Sequence, residues 1–150
     1  MMTPSLYEVD LYAWSQQQVA LLQAEEWDKI DWRHITEEID ALGASQRNEL
    51  RSRLKVLILH LLKWHFQPER QSKSWLASID EQRSSIEDLL EDNPSLRRLL
   101  EESVTIAYPR AVRDALKQTG LSRPTFPAAC PYTVAQILDD DFHPTEESIQ

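Results

Sequence analysis

The chain of 150 residues contains one cysteine, Cys130, and two glycines. A single cysteine excludes an internal disulfide, and nothing suggests an oxidising compartment. The scarcity of glycine disfavours an antiparallel sheet, which needs turn residues and β-branched alternation. No basic-then-apolar leader opens the sequence, and no apolar run approaches the roughly 18 residues of a membrane helix. We therefore expect a cytoplasmic protein without a membrane partner.

Positive charge is also scarce, since 16 Lys and Arg residues face 25 Asp and Glu residues and leave a net charge of −9. This sign disfavours electrostatic binding to duplex DNA. The charge is uneven: residues 47–75 hold seven bases and two acids, whereas residues 1–46 hold nine acids and two bases. We interpret the basic segment as docking against acidic parts of the fold. A local anion site, or a single-stranded nucleic-acid site with Trp64, Phe66 and Trp75, is the alternative.

Apolar residues recur at helical spacing through most of the sequence. The pattern predicts helices over about 11–24, 32–42, 45–66, 72–90 and 95–119. Asp10, Asp31 and Ser95 are the expected N-caps, and Gly43 and Gly120 the expected helix ends. Pro109 should kink or split the last helix, because proline removes a backbone donor.

Each predicted helix has an apolar stripe that we assign to the core. In the second helix this stripe is Ile35, Ile39 and Leu42. The third helix is the most apolar and should be central, with the inward positions Leu50, Leu54, Leu57, Leu61 and Trp64.

The last thirty residues change character, because Pro124, Pro127 and Pro131 interrupt regular structure. Thr133 can cap a short helix over 134–138, and an acidic tail follows from Asp139. Phe126, Tyr132 and Phe142 are expected to anchor this arm on the helices. The prediction is an all-α, up-and-down bundle of four to five main helices with a Pro-rich C-terminal arm and one short extra helix. We expect one domain over 1–150, with an ordered core at about 6–144.

Several short motifs recur together in one known family. They are Glu37-Glu38-Ile39-x-x-Leu42-Gly43, His60-Leu61-Leu62-Lys63-Trp64, Gln67-Pro68-Glu69-Arg70, Ser74-Trp75, Gln82-Arg83, Cys130-Pro131-Tyr132-Thr133 and Ile137-Leu138-Asp139. With them, the chain resembles the domain of unknown function numbered twenty-nine, a bacterial family abundant in cyanobacteria, over about Leu6 to Pro144. The resemblance implies an all-α fold and no assigned activity.

Some polar residues stand where a helical wheel places core positions. Gln82 falls in the middle of the apolar face of the fourth predicted helix, with Arg83 on its shoulder. Burial of such groups costs free energy unless they find partners, so we expect the inward ones to meet. They would form either a structural network or a pocket between the second, third and fourth predicted helices. The candidate residues are Glu38, Arg53, His60, Lys63, Gln82 and Arg83.

No catalytic motif stands out. His34 and Glu38 lie four residues apart and could supply two metal ligands, but no established metal motif is present, so we expect no metal and no cofactor. Cys130 has no base beside it in the sequence and is interpreted as a packing residue. The leading hypothesis is a protein-binding or regulatory module that contacts another protein or itself as a homodimer. The alternatives are an enzyme or small-ligand or anion-binding protein that uses the polar pocket, and single-stranded nucleic-acid binding through residues 47–75.

Overall fold

The fold was derived from a computed structural model that describes residues 3–148, and this part of the chain contains helices and no strand. The all-α prediction is confirmed. Four of the six α-helices are long enough to be main helices. In the described residues, no helix has both the length and the hydropathy needed to cross a bilayer. The helices are α1 (Leu6–Val9), α2 (Leu11–Gln23), α3 (Trp32–Phe66), α4 (Lys73–Asp92), α5 (Leu100–Thr119) and α6 (Val134–Leu138).

The chain forms two compact units, Met1–Ser45 and Gln46–Gln150. The N-terminal unit contains α1, α2, a 3₁₀ turn at Trp27–Lys29 and the first turns of α3. The C-terminal unit contains the rest of α3, together with α4, α5, α6 and the proline-rich arm. Further 3₁₀ turns at Pro68–Arg70, Pro94–Leu99, Arg123–Thr125 and Glu146–Ser148 connect or follow these helices.

The predicted break at Gly43 is wrong, because α3 is one helix of 35 residues. Gly43 does not have the left-handed backbone that a glycine at a helix end adopts; Gly120 alone among the glycines has a positive φ. A glycine inside a helix costs only about 1 kcal/mol relative to alanine. The good helix formers on both sides of Gly43 outweigh that cost, so the local stop signal has no effect.

Most of the predicted helix ends are confirmed by their caps. Asp10 accepts a hydrogen bond from the Ala13 amide (3.0 Å) and starts α2. Thr133 and Gln136 form a reciprocal capping box at the start of α6. Gly120 ends α5 with φ 72°, a conformation that only glycine adopts at low cost. Asp31 also accepts from the His34 amide at the start of α3.

The predicted N-cap of the fifth helix and its predicted split are wrong, whereas a kink at Pro109 stays a prediction. Ser95 is not a cap, because the segment Pro94–Leu99 is a 3₁₀ helix that begins after Asn93. Pro109 does not split α5, which runs unbroken from Leu100 to Thr119. Proline removes one backbone hydrogen bond, but its neighbours Tyr108 and Ala111 are buried, and their packing keeps the helix continuous.

The C-terminal unit holds a continuous apolar core. Leu50, Leu54, Leu57 and Leu61, the inward residues predicted for the apolar helix, are fully buried, whereas Trp64 is half-buried. The proline-rich arm contributes Phe126, Tyr132 and Ile137 to the same core, and Phe142 packs against it. The expectation that aromatic residues anchor the arm is therefore confirmed.

Candidate functional site

Among the predicted polar residues of the C-terminal unit, Arg53 and Gln82 meet directly. The Arg53 guanidinium donates to Gln82 Oε1 at 3.3 Å and to Glu49 Oε1 at 3.1 Å. Both Arg53 and Gln82 are half-buried. This contact links α3 to α4, and its partial exposure makes it a modest contribution to stability.

His60 and Lys63 find separate partners. His60 Nδ1 donates to the Val56 carbonyl oxygen at 2.8 Å, one turn earlier in α3. Burial lowers the pKa of His60, and the nearby Lys63 lowers it further, although the bond to Val56 acts in the opposite direction. Lys63 donates to Gln118 Oε1 at 3.0 Å and lies over the Trp75 ring. Burial also lowers the pKa of Lys63.

Arg83, rather than Gln82, is the buried polar residue of α4. The predicted positions of these two residues are reversed, since Arg83 is 2 % exposed and Gln82 is half-buried. The Arg83 guanidinium donates to the carbonyl oxygens of Ile137 and Phe142 at 2.8 Å each. Longer contacts reach Gln136 (3.4 Å) and Asp140 (3.5 Å). Arg83 therefore satisfies the carbonyl end of α6 and holds the arm in place.

Glu38 belongs to the N-terminal unit and pairs with Tyr7 there. The Tyr7 hydroxyl donates to Glu38 Oε1 at 2.5 Å. This hydrogen bond, followed by burial and the Glu38 charge, raises the pKa of Tyr7 to about 12. The Tyr7 ring also stacks on His34, with centroids 3.9 Å apart. Glu38 thus helps to attach α1 to α3 and is half-buried, as predicted.

Asp31 is the second polar centre of the N-terminal unit. Its carboxylate accepts from Trp14 Nε1 at 3.0 Å and contacts His34 Nδ1 at 2.7 Å. The Asp31 amide donates to Gln18 Oε1 at 2.8 Å. Burial alone would raise the pKa of Asp31, but the hydrogen bonds from His34 and Trp14 lower it overall. These bonds join α2 to the start of α3 and orient their apolar faces.

An apolar groove lies between those faces, within the N-terminal unit. We call it the α2–α3 groove; its volume is about 310 Å³. The α2 wall and the α3 wall each present side chains at helical spacing. The lining residues are Trp14, Ser15, Gln18, Val19, Leu22, Ile35, Glu38, Ile39 and Leu42.

Exposed apolar side chains are concentrated in this unit. In residues 3–148, all ten large apolar side chains that are exposed fall between Leu6 and Leu42. Ile39 is 63 % exposed and Leu42 is 67 % exposed. The assignment of Ile39 and Leu42 to a buried stripe is therefore wrong. Four of the ten, Val19, Leu22, Ile39 and Leu42, line the α2–α3 groove, and exposed apolar side chains that share a groove are typical of an interaction surface.

The family of the chain follows from comparison with known proteins. Residues 6–143 match the family described as "Domain of unknown function DUF29". The chain belongs to this family. The expected resemblance is therefore confirmed over the same region. Neither a curated protein nor a solved structure matches the chain.

In this DUF29 chain the basic segment 47–75 lies largely along α3 and engages acids of the C-terminal unit. Lys55 Nζ is 3.4 Å from Asp114 Oδ2, and Arg51 Nη2 is 3.9 Å from Glu102 Oε1. These pairs agree with the interpretation that the segment docks inside the fold. The aromatic residues Trp64, Phe66 and Trp75 of the alternative nucleic-acid site are half-buried.

The metal ligands and the cysteine of the DUF29 chain bear on possible chemistry. Within residues 3–148, no three His, Cys, Asp or Glu side chains come together in a way that could hold a metal ion. The thiol residue Cys130 lines a separate cavity of about 390 Å³ beside Tyr108 and Pro109. Burial raises the pKa of the Cys130 thiol, which keeps it protonated and poorly nucleophilic at neutral pH.

Sequence reasoning missed Tyr7 and Trp14 as polar partners, and it missed the groove. Tyr7 precedes the first predicted helix, and its partner Glu38 is 31 residues away. One signal was available, because residues 1–46 combine several apolar stripes with nine acids. An amphipathic helix pair that carries more apolar side chains than its two helices can bury between them presents a surface that another molecule can cover.

Proposed function

We propose that the chain is a protein-binding module and that the α2–α3 groove is its docking surface. The observation that carries this proposal is the confinement of all exposed large apolar side chains in residues 3–148 to the stretch from Leu6 to Leu42. The hydrogen bonds of Asp31 and Glu38 support it, because they hold both groove walls in place before a partner arrives. A preformed surface of this kind reduces the entropic cost of binding.

The proposal also rests on the partners of the polar residues. Arg53, His60, Lys63 and Arg83 each have a hydrogen-bond partner within the C-terminal unit. A group that is already paired in this way has less capacity to bind a ligand. The groove, in contrast, is mostly apolar, and complex formation would remove its side chains from water.

Site-specific photo-crosslinking tests this proposal. A benzophenone side chain is introduced at Val19 or Ile39 in the groove, and, as matched controls, at the exposed positions Ser84 or Arg113 of the C-terminal unit. The variants are irradiated in the cells that naturally produce the protein. We expect adducts of one defined mass from the groove positions alone. Equal labelling at all four positions, or no adduct at Val19 and Ile39, would refute the docking surface.

A further inference from the structure

A hydrogen bond between Tyr132 and His65 joins the proline-rich arm to the last turn of α3. The Tyr132 hydroxyl lies 2.9 Å from His65 Nδ1, and the two residues are 67 positions apart in the sequence. Tyr132 is 4 % exposed and His65 is 7 % exposed, so water has little access to this bond. A buried polar pair of this kind contributes to stability only while its donor and its acceptor remain matched.

Little else attaches this stretch of the arm to the helices. Residues 127–132 form no helix, and, among the residues that the structure describes, two hydrogen bonds join them to the helices. The second of these bonds runs from the Tyr108 hydroxyl to the Pro127 carbonyl oxygen at 2.5 Å. A cavity of about 390 Å³ lies between the stretch and α5. Loss of the His65 bond would therefore leave one polar attachment on a segment that borders a cavity, which favours local opening.

The Tyr132–His65 bond requires a neutral imidazole. Within residues 3–148, His65 Nδ1 is the one hydrogen-bond partner of the Tyr132 hydroxyl. The buried hydroxyl therefore donates to Nδ1, because a phenol that only accepted would leave its own O–H without an acceptor. Nδ1 accepts this bond only when it carries no proton. A protonated His65 would place an N–H donor against an O–H donor and would bury a new charge.

The groups that surround His65 determine where it titrates. Burial lowers the pKa of His65, and the negative charge of Glu146 acts in the opposite direction. Glu146 and Glu147 line a cavity of about 480 Å³ that His65 also lines, but both are exposed, so solvent screens their charges. Phe66 stacks on the imidazole with ring centroids 4.4 Å apart and carries no charge. The neutral form of His65 is therefore the one that fits the closed arm.

We propose that the Tyr132–His65 bond is an acid-sensitive latch of the C-terminal arm. A neutral His65 holds residues 127–132 on α3, and protonation of His65 breaks the bond and releases them. The bonds of Arg83 to the carbonyl oxygens of Ile137 and Phe142 keep the following part of the arm in place. Release uncovers the cavity beside α5 and the thiol of Cys130. This latch lies within the C-terminal unit and does not depend on the docking function.

Cys130 reports the state of the latch without an engineered probe. It is the single cysteine of the chain, it is half-buried, and it lies in the stretch that the latch would release. The rate at which Cys130 reacts with a pyridyl disulfide reagent is divided, at each pH, by the rate of an unstructured peptide with one cysteine. This ratio removes the intrinsic pH dependence of the thiol chemistry.

The expected change in this rate ratio follows from proton linkage. In the released arm, His65 titrates like an exposed histidine, with a pKa of about 6.5. Because the closed arm excludes the protonated form, release becomes about tenfold more frequent at about pH 5.5 than at about pH 7.5. We expect the rate ratio of Cys130 to rise by about the same factor.

Three variants connect this rise to the bond. In His65→Gln the amide oxygen accepts the Tyr132 hydroxyl but takes up no proton, so the rise should disappear. His60→Gln is the matched control, because His60 is a half-buried histidine of the same helix that donates to the Val56 carbonyl oxygen, and it should keep the rise. Tyr132→Phe removes the hydroxyl and keeps the ring, so Cys130 should react about fivefold faster at about pH 7.5 than in the natural chain.

Circular dichroism and labelling at low urea concentrations distinguish release of the arm from unfolding of the whole chain. Local release leaves the helical signal unchanged and gives a rate ratio that does not vary with urea. The latch is overturned if Cys130 reacts as fast as the peptide at about pH 7.5, if the ratio rises less than about twofold, or if the rise requires loss of the helical signal. It is also overturned if His65→Gln keeps the rise or if Tyr132→Phe reacts like the natural chain. If His65→Gln does not fold, the Tyr132→Phe comparison decides alone.

Discussion

Replacement of Arg83 by methionine should destabilise the C-terminal unit more than any other single change in α4 that leaves its apolar residues intact. Methionine keeps much of the aliphatic length of arginine and removes the guanidinium. The carbonyl oxygens of Ile137 and Phe142, each 2.8 Å from Arg83, would then lose their donor inside the fold. The arm that carries α6 would lose its principal polar attachment to α4.

The magnitude follows from those two short bonds. A hydrogen bond to a charged group contributes about 1.5–3 kcal/mol, so the pair accounts for roughly 3–6 kcal/mol. The variant also avoids the cost of burying the guanidinium, which offsets part of the loss. We expect the free energy of unfolding to fall by about 2–4 kcal/mol, which lowers Tm by roughly 5–15 °C in a chain of this size.

Urea unfolding and amide hydrogen exchange measure this effect. The urea midpoint should fall with little change in slope, and the amides of Ile137 and Leu138 should lose protection first. Gln82→Met is the matched control on the same helix, because Gln82 is half-buried and holds a single bond of 3.3 Å to Arg53. It should cost less than about 1 kcal/mol. An Arg83→Met loss below about 1 kcal/mol, or equal losses for both variants, would refute this account of the arm.

Three further predictions concern single residues. Gly43→Ala should stabilise the chain by about 0.5–1 kcal/mol, since Gly43 is helical and no atom lies within 4 Å of the added Cβ. Gly120→Ala should destabilise the chain by about 1–2 kcal/mol, because the backbone φ of Gly120 is 72°. Thermal unfolding measures both changes, and stability changes of the same sign would contradict the continuous α3. Burial lowers the pKa of His60 and His65 in the folded state, so the unfolded chain binds protons first as the pH falls below about 6.5, and the folded state loses stability there. Urea midpoints measured at several pH values should show this loss of stability. His60→Leu should make the loss smaller, and an unchanged pH profile in this variant would count against the burial of His60. Tyr7→Phe should remove a phenolate transition near pH 12 from the ultraviolet titration of the chain, and loss of a transition near pH 10 instead would show that the Glu38 bond is absent.

Local sequence determines much of this fold. Asp10, Thr133 and Gly120 define helix ends because a capping oxygen or a left-handed backbone acts over one turn, independently of distant residues. Leu50, Leu54, Leu57 and Leu61 identify the buried face of α3, because a helix removes four leucines at this spacing from water by burying the one face that they share. The caps and this apolar periodicity are therefore predictable without a structure.

Tertiary structure decides what these faces contact. Gln82 and Arg83 are adjacent, and the arm selects Arg83 for burial because its guanidinium reaches four carbonyl oxygens that a glutamine amide could not satisfy together. Ile39 and Leu42 have the spacing of core residues, but they are 63 % and 67 % exposed. Periodicity specifies which side chains share a face of a helix, and only the packing of distant segments determines whether that face is buried or remains open to a partner.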